Sequence, residues 1–311
     1  MPIRSLCQKT SLTHHNYFMT STLSLREGLK KIVGKFPALS VYLRRRKEDR
    51  LRQRTPVVTK YGFKFAGYPQ MESGGFEPTE TVIVRSLIPH FEQFVNVGAN
   101  IGYYCCHALQ LGRPVVAFEP SPSNMFMLLQ NVCANGWDDR VEVFPLALAA
   151  THGVLNFYGD GTGASLVPGW AGVPRRYVSR VPVSTLDRVL GDRLLDSRNL
   201  FLVDVEGAEL SMLNGALKHL DHASQSAWMI EVCISEHLPD GETINGRLAD
   251  TFDMFWSRGF IAYAADGSGR PVTQSMIERV LQTGIDDIGT HNFVFLKSPA
   301  APELVSALRT T

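Results

Sequence analysis

Residues 94–104 read FVNVGANIGYY, an apolar run that breaks into a glycine turn. Four apolar or buried-type residues followed by Gly98 predict a strand buried on both faces, and the residues after Gly102 predict a helix. Strand, glycine turn and helix in that order commonly hold a cofactor. The glycines are spaced G-x-x-x-G, however, and Asn100 stands where a dinucleotide site needs its second glycine to let the pyrophosphate reach the backbone. That fingerprint is broken.

The next strand narrows the choice. PVVAFEP (114–120) ends in Phe118-Glu119-Pro120, and Glu119 follows Gly98 by 21 residues. An acid at the tip of the second strand accepts hydrogen bonds from ribose hydroxyls. The two motifs together predict a nucleoside without a pyrophosphate. S-adenosylmethionine satisfies both, with its ribose on Glu119 and its methionine portion over Val97-Gly98-Ala99-Asn100-Ile101-Gly102. The plainer alternative is an acid merely exposed at a strand end.

Working outward, VEVFPLAL (141–148), LFLVDVEG (200–207) and WMIEV (228–232) are further short apolar strands between helical segments, including 122–135, closed by Asn135-Gly136, and ELSMLNGALKHL (209–220). Alternation of this kind predicts a parallel sheet covered on both faces. Thr79 is the expected cap of a helix running through Leu87. Residues 150–183 predict two extra strands around GDGTGASLVPGWAG, and VVTKYGFKFAGY (57–68) predicts a covering hairpin. GFIAYAAD (259–266) and HNFVFLK (291–297) predict a final antiparallel pair, with no helix evident between them and none in the loop 233–258.

FVNVGANIGYY, VAFEPSPSNMFMLLQNVCANG, VPVSTLD, LVDVEGAELSMLNGA and HNFVFL occur in the order seen in FkbM-type methyltransferases, which the chain resembles from about Phe76 to Lys297. The resemblance implies a class I methyltransferase fold, an α/β Rossmann-like sheet, mostly parallel with an antiparallel C-terminal strand pair. It also implies S-adenosylmethionine as methyl donor and, usually, a hydroxyl as acceptor. The cofactor set expected on these motifs is Asn96, Gly98, Ala99, Asn100, Gly102, Glu119, Pro120 and Asp204, with Ser165 matching a serine of the family. The chain departs from the family in carrying Asn96 for an Asp and Leu202 for a Lys.

A hydroxyl acceptor must lose its proton, so a base or a metal is needed. Asp204 is the expected base, with Glu231 or His237 orienting the acceptor. Mg²⁺ held by Asp204 or Glu206 together with Glu231 is the alternative, less favoured because no third acid is clearly placed. Asp204 and Glu206 alternate and are expected on one strand face. Glu206 and Glu209 could equally do no more than favour a helix N-terminus. Asn131 and Asn135 read as helix and turn formers, and Asn292 as a residue fixing a loop near the site.

With 311 residues and 44% hydrophobic content the chain can bury a full core. Its net charge of +1 hides an asymmetry: residues 1–60 hold 14 Lys and Arg against three acids, hence +11, leaving −10 for the remainder. A mildly acidic catalytic part argues against nucleic acid as substrate. Residues 1–55 are read as a basic extension, disordered to 22, helical from Leu25 to Phe36, then YLRRRKEDRLRQR (42–54), either a solvated helix or a peripheral membrane contact. The methyltransferase domain is placed at 56–297 and a loosely helical tail at 298–311. Cys7, Cys105, Cys106, Cys133 and Cys233 form no CxxC pair and predict free thiols in a reducing, cytoplasmic setting. The expected partner is a small-molecule, glycan or lipid-linked hydroxyl acceptor. Methylation of nitrogen or of a protein, or a non-catalytic nucleoside-binding scaffold, are the competing functions.

Overall fold

The computed structural model describes residues 53–222 and 226–310, together with Arg46 and Arg50. The segment 1–22, the helix expected at 25–36, Cys7, and the basic segment 42–54 apart from Arg46, Arg50, Gln53 and Arg54 lie outside the described residues. The chain divides after Gln53, and the fold below is that of the unit beginning at Arg54.

Val57–Val58 (β1) and Lys64–Phe65 (β2) pair antiparallel as the expected hairpin. Pro69–Ser73 (α1) and Pro78–Leu87 (α2) follow. Thr79 does not cap α2. Pro78 takes the first helical position, where its missing N–H costs nothing, so the cap position falls to Glu77 in a left-handed conformation at φ 40°.

The core alternates as expected through Gln93–Val97 (β3), Tyr103–Gln110 (α3), Val115–Phe118 (β4), Pro122–Cys133 (α4) and Val141–Phe144 (β5). Pro145 cannot donate to a ladder, and there the strand read at 141–148 splits. Ala147–Leu148 (β6) leaves the main sheet and pairs with Val178–Ser184 (β8), which also pairs with Gly153–Tyr158 (β7). After Leu186–Leu190 (α5), capped by Thr185, the chain returns as Asn199–Val203 (β9). The helix expected at 209–220 is two, Glu209–Asn214 (α6) and Leu217–His222 (α7), broken at Gly215, where a Cβ would lie 2.2 Å from the Ala149 carbonyl oxygen.

Ala227–Glu231 (β10) is followed by Leu248–Trp256 (α8), inside a stretch read as loop. Phe260–Ala264 (β11), Pro271–Val272 (β12), Gln274–Thr283 (α9), Asn292–Lys297 (β13) and Pro302–Ala307 (α10) complete the chain. Helix α9 lies in the stretch read without a helix; Met276, Ile277, Val280 and Leu281 recur on it at helical spacing, and Ile277 and Val280 are buried.

The main sheet runs β5-β4-β3-β9-β10-β13-β11-β12. Strands β5 to β10 are mutually parallel, and β13 lies antiparallel between β10 and β11. This is the class I methyltransferase order, with its antiparallel C-terminal pair and one added edge strand. Period two puts Val95, Val97, Phe201, Val203 and Trp228 on one face, and Phe94, Leu200, Leu202, Met229 and Val294 on the other. Trp228 stacks on Phe201 with ring centroids 3.9 Å apart. Burying each such side chain contributes about 2–3 kcal/mol, enough to fix the register of the central strands. Cys105, Cys106 and Cys233 are buried in this packing, whereas Cys133 is exposed, and all four are free thiols.

The chain order reverses between β3 and β9. In open α/β sheets ligands sit beyond the carboxyl ends of the strands at such a reversal.

Candidate active site

At the reversal the backbones of β3, β4 and β9 nearly touch. The Gly98 and Ala99 amides both donate to the Phe118 carbonyl at 3.0 Å, and the Asp204 amide donates to the Val97 carbonyl at 2.9 Å. Gly98 has φ 81°, and a Cβ there would lie 1.7 Å from the Asp204 carbonyl oxygen. What Gly98 admits is thus the neighbouring strand end. Gly102 opens α3 at φ 83°, where a Cβ would meet Leu128 of α4.

Two clefts meet at this point, and Gly98, Asn100 and Asp204 line both. Glu119, Pro120 and Asn124 line the first, with Leu146, Phe157 and the loop 161–164 as its opposite wall. Glu119 is 4% exposed. One carboxylate oxygen accepts from the Asn100 amide at 2.7 Å, and the other from the Ser121 amide at 2.8 Å and the Asn124 side chain at 3.3 Å. Burial pushes its pKa up to about 7 against the pull of those donors. Three of roughly four acceptor directions are filled, which leaves one for a ribose hydroxyl rather than two. A second acceptor stands beside it: Asn100 Oδ1 is buried and has no partner. The carboxylate, the orphaned amide oxygen and the apolar wall fit the ribose and base of a nucleoside.

The glycine-rich loop closes this cleft. Asp160 accepts from the Ser123 hydroxyl at 3.0 Å, and Tyr68 bonds Thr162 at 3.0 Å. Ser165, expected at the cofactor, lies behind the loop and lines neither cleft. Its hydroxyl donates to the Glu206 carbonyl at 2.5 Å and accepts from the Val167 amide at 2.8 Å, so its hydrogen-bonding capacity is spent on the fold.

Asn96, Ala99, Leu202, Glu231 and Asn292 line the second cleft, joined by Glu77 and Tyr104. Tyr104 donates to Glu77 at 2.7 Å. The Asp204 carboxyl is held well above the usual range, first by burial and then by the charges of Glu231, Glu206, Glu77 and Glu209. Glu231 is raised to about 8, again by burial and then by Glu206, Glu77 and Glu209. Two acids on one cleft that resist ionisation are suited to holding a proton near neutral pH.

Glu206 does not share a strand face with Asp204. Strand β9 ends at Val203, and Glu206 sits in the following turn at φ 54° with its carboxylate accepting from the Trp170 indole at 2.7 Å. Among the described residues no three His, Cys, Asp or Glu side chains are grouped to hold a metal ion. Glu209 is 4% exposed and accepts from the Gly207 amide at 2.8 Å, the helix-opening role weighed for it. His237 is exposed at φ 61° and lines neither cleft; its carbonyl accepts from the Ala171 amide. The histidine beside Glu231 is His291, with Nε2 3.9 Å from Oε1. Its position one residue before Asn292, which pairs with Glu231 in the sheet, was the available signal.

A model of the FkbM methyltransferase domain matches residues 96–261, just over half of the sequence. The chain belongs to the FkbM methyltransferase family. No curated protein matches the sequence. Among solved structures it is similar to methyltransferase FkbM from Methylobacillus flagellatus KT, at 20% identity and TM-score 0.33 over 46% of this chain and 33% of that one. It thus spans about a third of that structure's length. Precorrin-6y C5,15-methyltransferase from Geobacter metallireducens GS-15 matches at 12% identity and TM-score 0.39 over 74% and 92% of the two chains. An O-methyltransferase family protein from Burkholderia thailandensis matches at 10% identity and TM-score 0.30 over 73% and 56%.

In this FkbM chain the two departures from the family pattern are neighbours. Asn96 and Leu202 are direct partners across β3 and β9. The Asp and Lys that the family pattern puts there would face each other, and here both are neutral. Asn96 spends its amide on the Cys105 thiol at 3.4 Å, while Leu202 packs into the apolar layer. Losing both charges together leaves no unpaired ion in the sheet.

Proposed function

We propose that this methyltransferase transfers the methyl group to a hydroxyl of a neutral, polyhydroxylated acceptor: a sugar, a glycolipid or a natural-product scaffold. One observation carries the reading: Glu231 and Asp204 line the same cleft as the glycine turn, and burial raises both carboxyls, Glu231 to about 8. The first cleft takes the nucleoside, through Glu119 and Asn100, and the second takes the acceptor. Bound S-adenosylmethionine supplies an electrophilic methyl group on a sulfonium. The chain's own work is to place the acceptor oxygen in line and to take its proton. Glu231 is the base, Asp204 shares the proton and fixes the hydroxyl, and Asn292 offers an uncharged hydrogen bond of the kind a polyol needs.

Among the described residues no Lys or Arg lines the acceptor cleft. Phosphate or carboxylate acceptors, nucleic acid included, would meet three acids and no facing cation there, which disfavours them. The same lining favours a second reading, an amine acceptor methylated on nitrogen.

The test uses labelled methyl transfer from S-adenosylmethionine to a panel of glycosides, glycolipids and amines, with cofactor affinity measured by calorimetry. Glu231→Gln should lower turnover on hydroxyl acceptors about a hundredfold or more while cofactor affinity stays within about threefold. Undiminished turnover in Glu231→Gln would remove the base assignment. Transfer to amines alone would replace the hydroxyl reading with the second.

A further inference from the structure

The small sheet β6-β8-β7 turns its inner face to the first cleft, through Ala147 and Phe157, and its outer face away from it. Its inner face packs Phe157, Val181 and Val183 with Ala147. The register pairs Val154 with Pro182, Asn156 with Arg180 and Tyr158 with Val178, so those six side chains form the outer face. That face is uncovered: Val154 is 65% exposed and Val178 47%, with Pro182 and Arg180 exposed beside them. The tight turn Pro174–Tyr177, closed by a 2.9 Å bond, adds Arg175 and Arg176, both exposed, at the start of β8.

The charge here opposes that of the surrounding chain. Residues 143–186 contain three arginines and a single acid, Asp160, within a stretch, 61–311, that carries −10 overall. Asp160 is spent on the Ser121 and Ser123 hydroxyls and the Gly161 amide. Among the described residues none of Arg175, Arg176 and Arg180 makes an ion pair, although Arg176 lies over the Tyr177 ring at 5.8 Å.

We infer that the outer face of β7 and β8 is a docking surface for an anionic lipid bilayer, with Val154, Val178 and Pro182 against the acyl boundary and Arg175, Arg176 and Arg180 among acidic headgroups. The combination decides the occupant. Exposed aliphatic side chains flanked by unpaired arginines match the interface of an anionic membrane, which has both an apolar layer and a negative surface. A soluble polyanion would use the arginines and leave the aliphatic side chains in water. A second copy of the chain could pair along the free edge of β7. It would bring a second set of the same arginines onto the same sheet, however, with no acid to meet them. The inference stands independently of which group accepts the methyl.

The experiment is co-sedimentation of the full chain with vesicles of phosphatidylcholine alone and of phosphatidylcholine with phosphatidylglycerol. Wild type should partition to the anionic vesicles only, and less so at high salt. Arg175→Glu, Arg176→Glu and Arg180→Glu together should lower that partition about a hundredfold, each basic residue near an anionic surface being worth about one factor of five. Val154→Ser with Val178→Ser should lower it about tenfold at every salt concentration. These positions are exposed, so unchanged melting temperatures are expected and confirm folding. Wild-type partition retained by the triple variant would overturn the inference, because binding would then reside elsewhere in the chain. Equal or absent binding to both vesicle types would overturn it too. So would a dimer in solution that Val154→Arg dissociates while vesicle binding is unaffected, since the face would then belong to a second copy.

Discussion

A methyl group on Gly98 would sit 1.7 Å from the Asp204 carbonyl oxygen, and the residue's φ of 81° is closed to most side chains in any case. Backbone is the obstacle, so no rotamer change relieves it. Gly98→Ala should cost about 3 kcal/mol or more, read by urea denaturation against wild type. At Gly102 the nearest atom is Leu128 Cγ, 2.9 Å away, with the Leu128 Cα at 3.3 Å, a much looser approach than at Gly98. Gly102→Ala should therefore cost less, about 1–2 kcal/mol, chiefly for the left-handed backbone. Equal losses at the two sites would show that backbone conformation alone, and not the strand contact, sets the requirement. The G-x-x-x-G spacing thus separates into two demands, one for strand-to-strand approach and one for helix-to-helix packing. Neither glycine is needed to admit a ligand, and the polar groups facing the first cleft are those of Asn100 and Glu119. Asn96 and Leu202, which look like two separate losses in sequence, are one exchange across a strand pair.

At the scale of elements, Asn131 ties three pieces of chain together. From the middle of α4 its side chain accepts from the Ala66 amide at 2.7 Å and donates to the carbonyls of Ala66 and Ile101 at 3.0 and 2.9 Å. It joins the N-terminal hairpin to the glycine turn, and it is fully buried. Asn131→Ala would strand a buried amide and two carbonyls, at a cost of about 2–4 kcal/mol in denaturant unfolding. A loss under about 1 kcal/mol would mean that water replaces the amide and that the hairpin is not held from α4. Sequence pattern placed Asn131 on a helix but could not show its partners, which lie 65 and 30 residues away. The same limit explains the rest. Strands β3, β4, β9 and β10 were legible because parallel strands buried on both faces leave continuous apolar runs. Helix α9 was not read, although Met276, Ile277, Val280 and Leu281 carry a helical period; the signal spans little more than one turn and a half between two stronger apolar strands. Glu119 and Asp204 line the clefts as their places at strand ends suggested. Ser165 and His237 line neither, and His291 lies beside Glu231, because these neighbourhoods are set by loop paths that no local periodicity records.

Across the whole molecule, buried acids around the two clefts set how stability depends on pH. Glu119 and Glu209 are raised from 4.5 to about 7, Glu231 from 4.5 to about 8, and Asp204 well above 3.8, burial being the first cause in each case. A carboxyl raised in the folded state keeps its proton while the unfolded chain has lost it. The stability it contributes is therefore full below the unfolded value and drains away as pH climbs through the folded one. His107 runs the other way. It is buried, close to Arg85 and Lys60, and lowered from 6.5 to about 3, so it destabilises the fold as pH falls below 6.5. Between 4.5 and 6.5 the histidine offsets part of the carboxyl loss; between 6.5 and about 8 nothing on this list opposes Glu231 and Asp204. The melting temperature of the cofactor-free protein should accordingly fall from about pH 5.5 to 8, most steeply near pH 6 to 7 while all four carboxyls still hold protons in the fold, and Glu231→Gln, which cannot ionise, should flatten that descent. A melting temperature that rises across this interval would show that the acids are ionised in the fold at neutral pH, and the acceptor cleft would then be a charged site with no proton held ready for exchange.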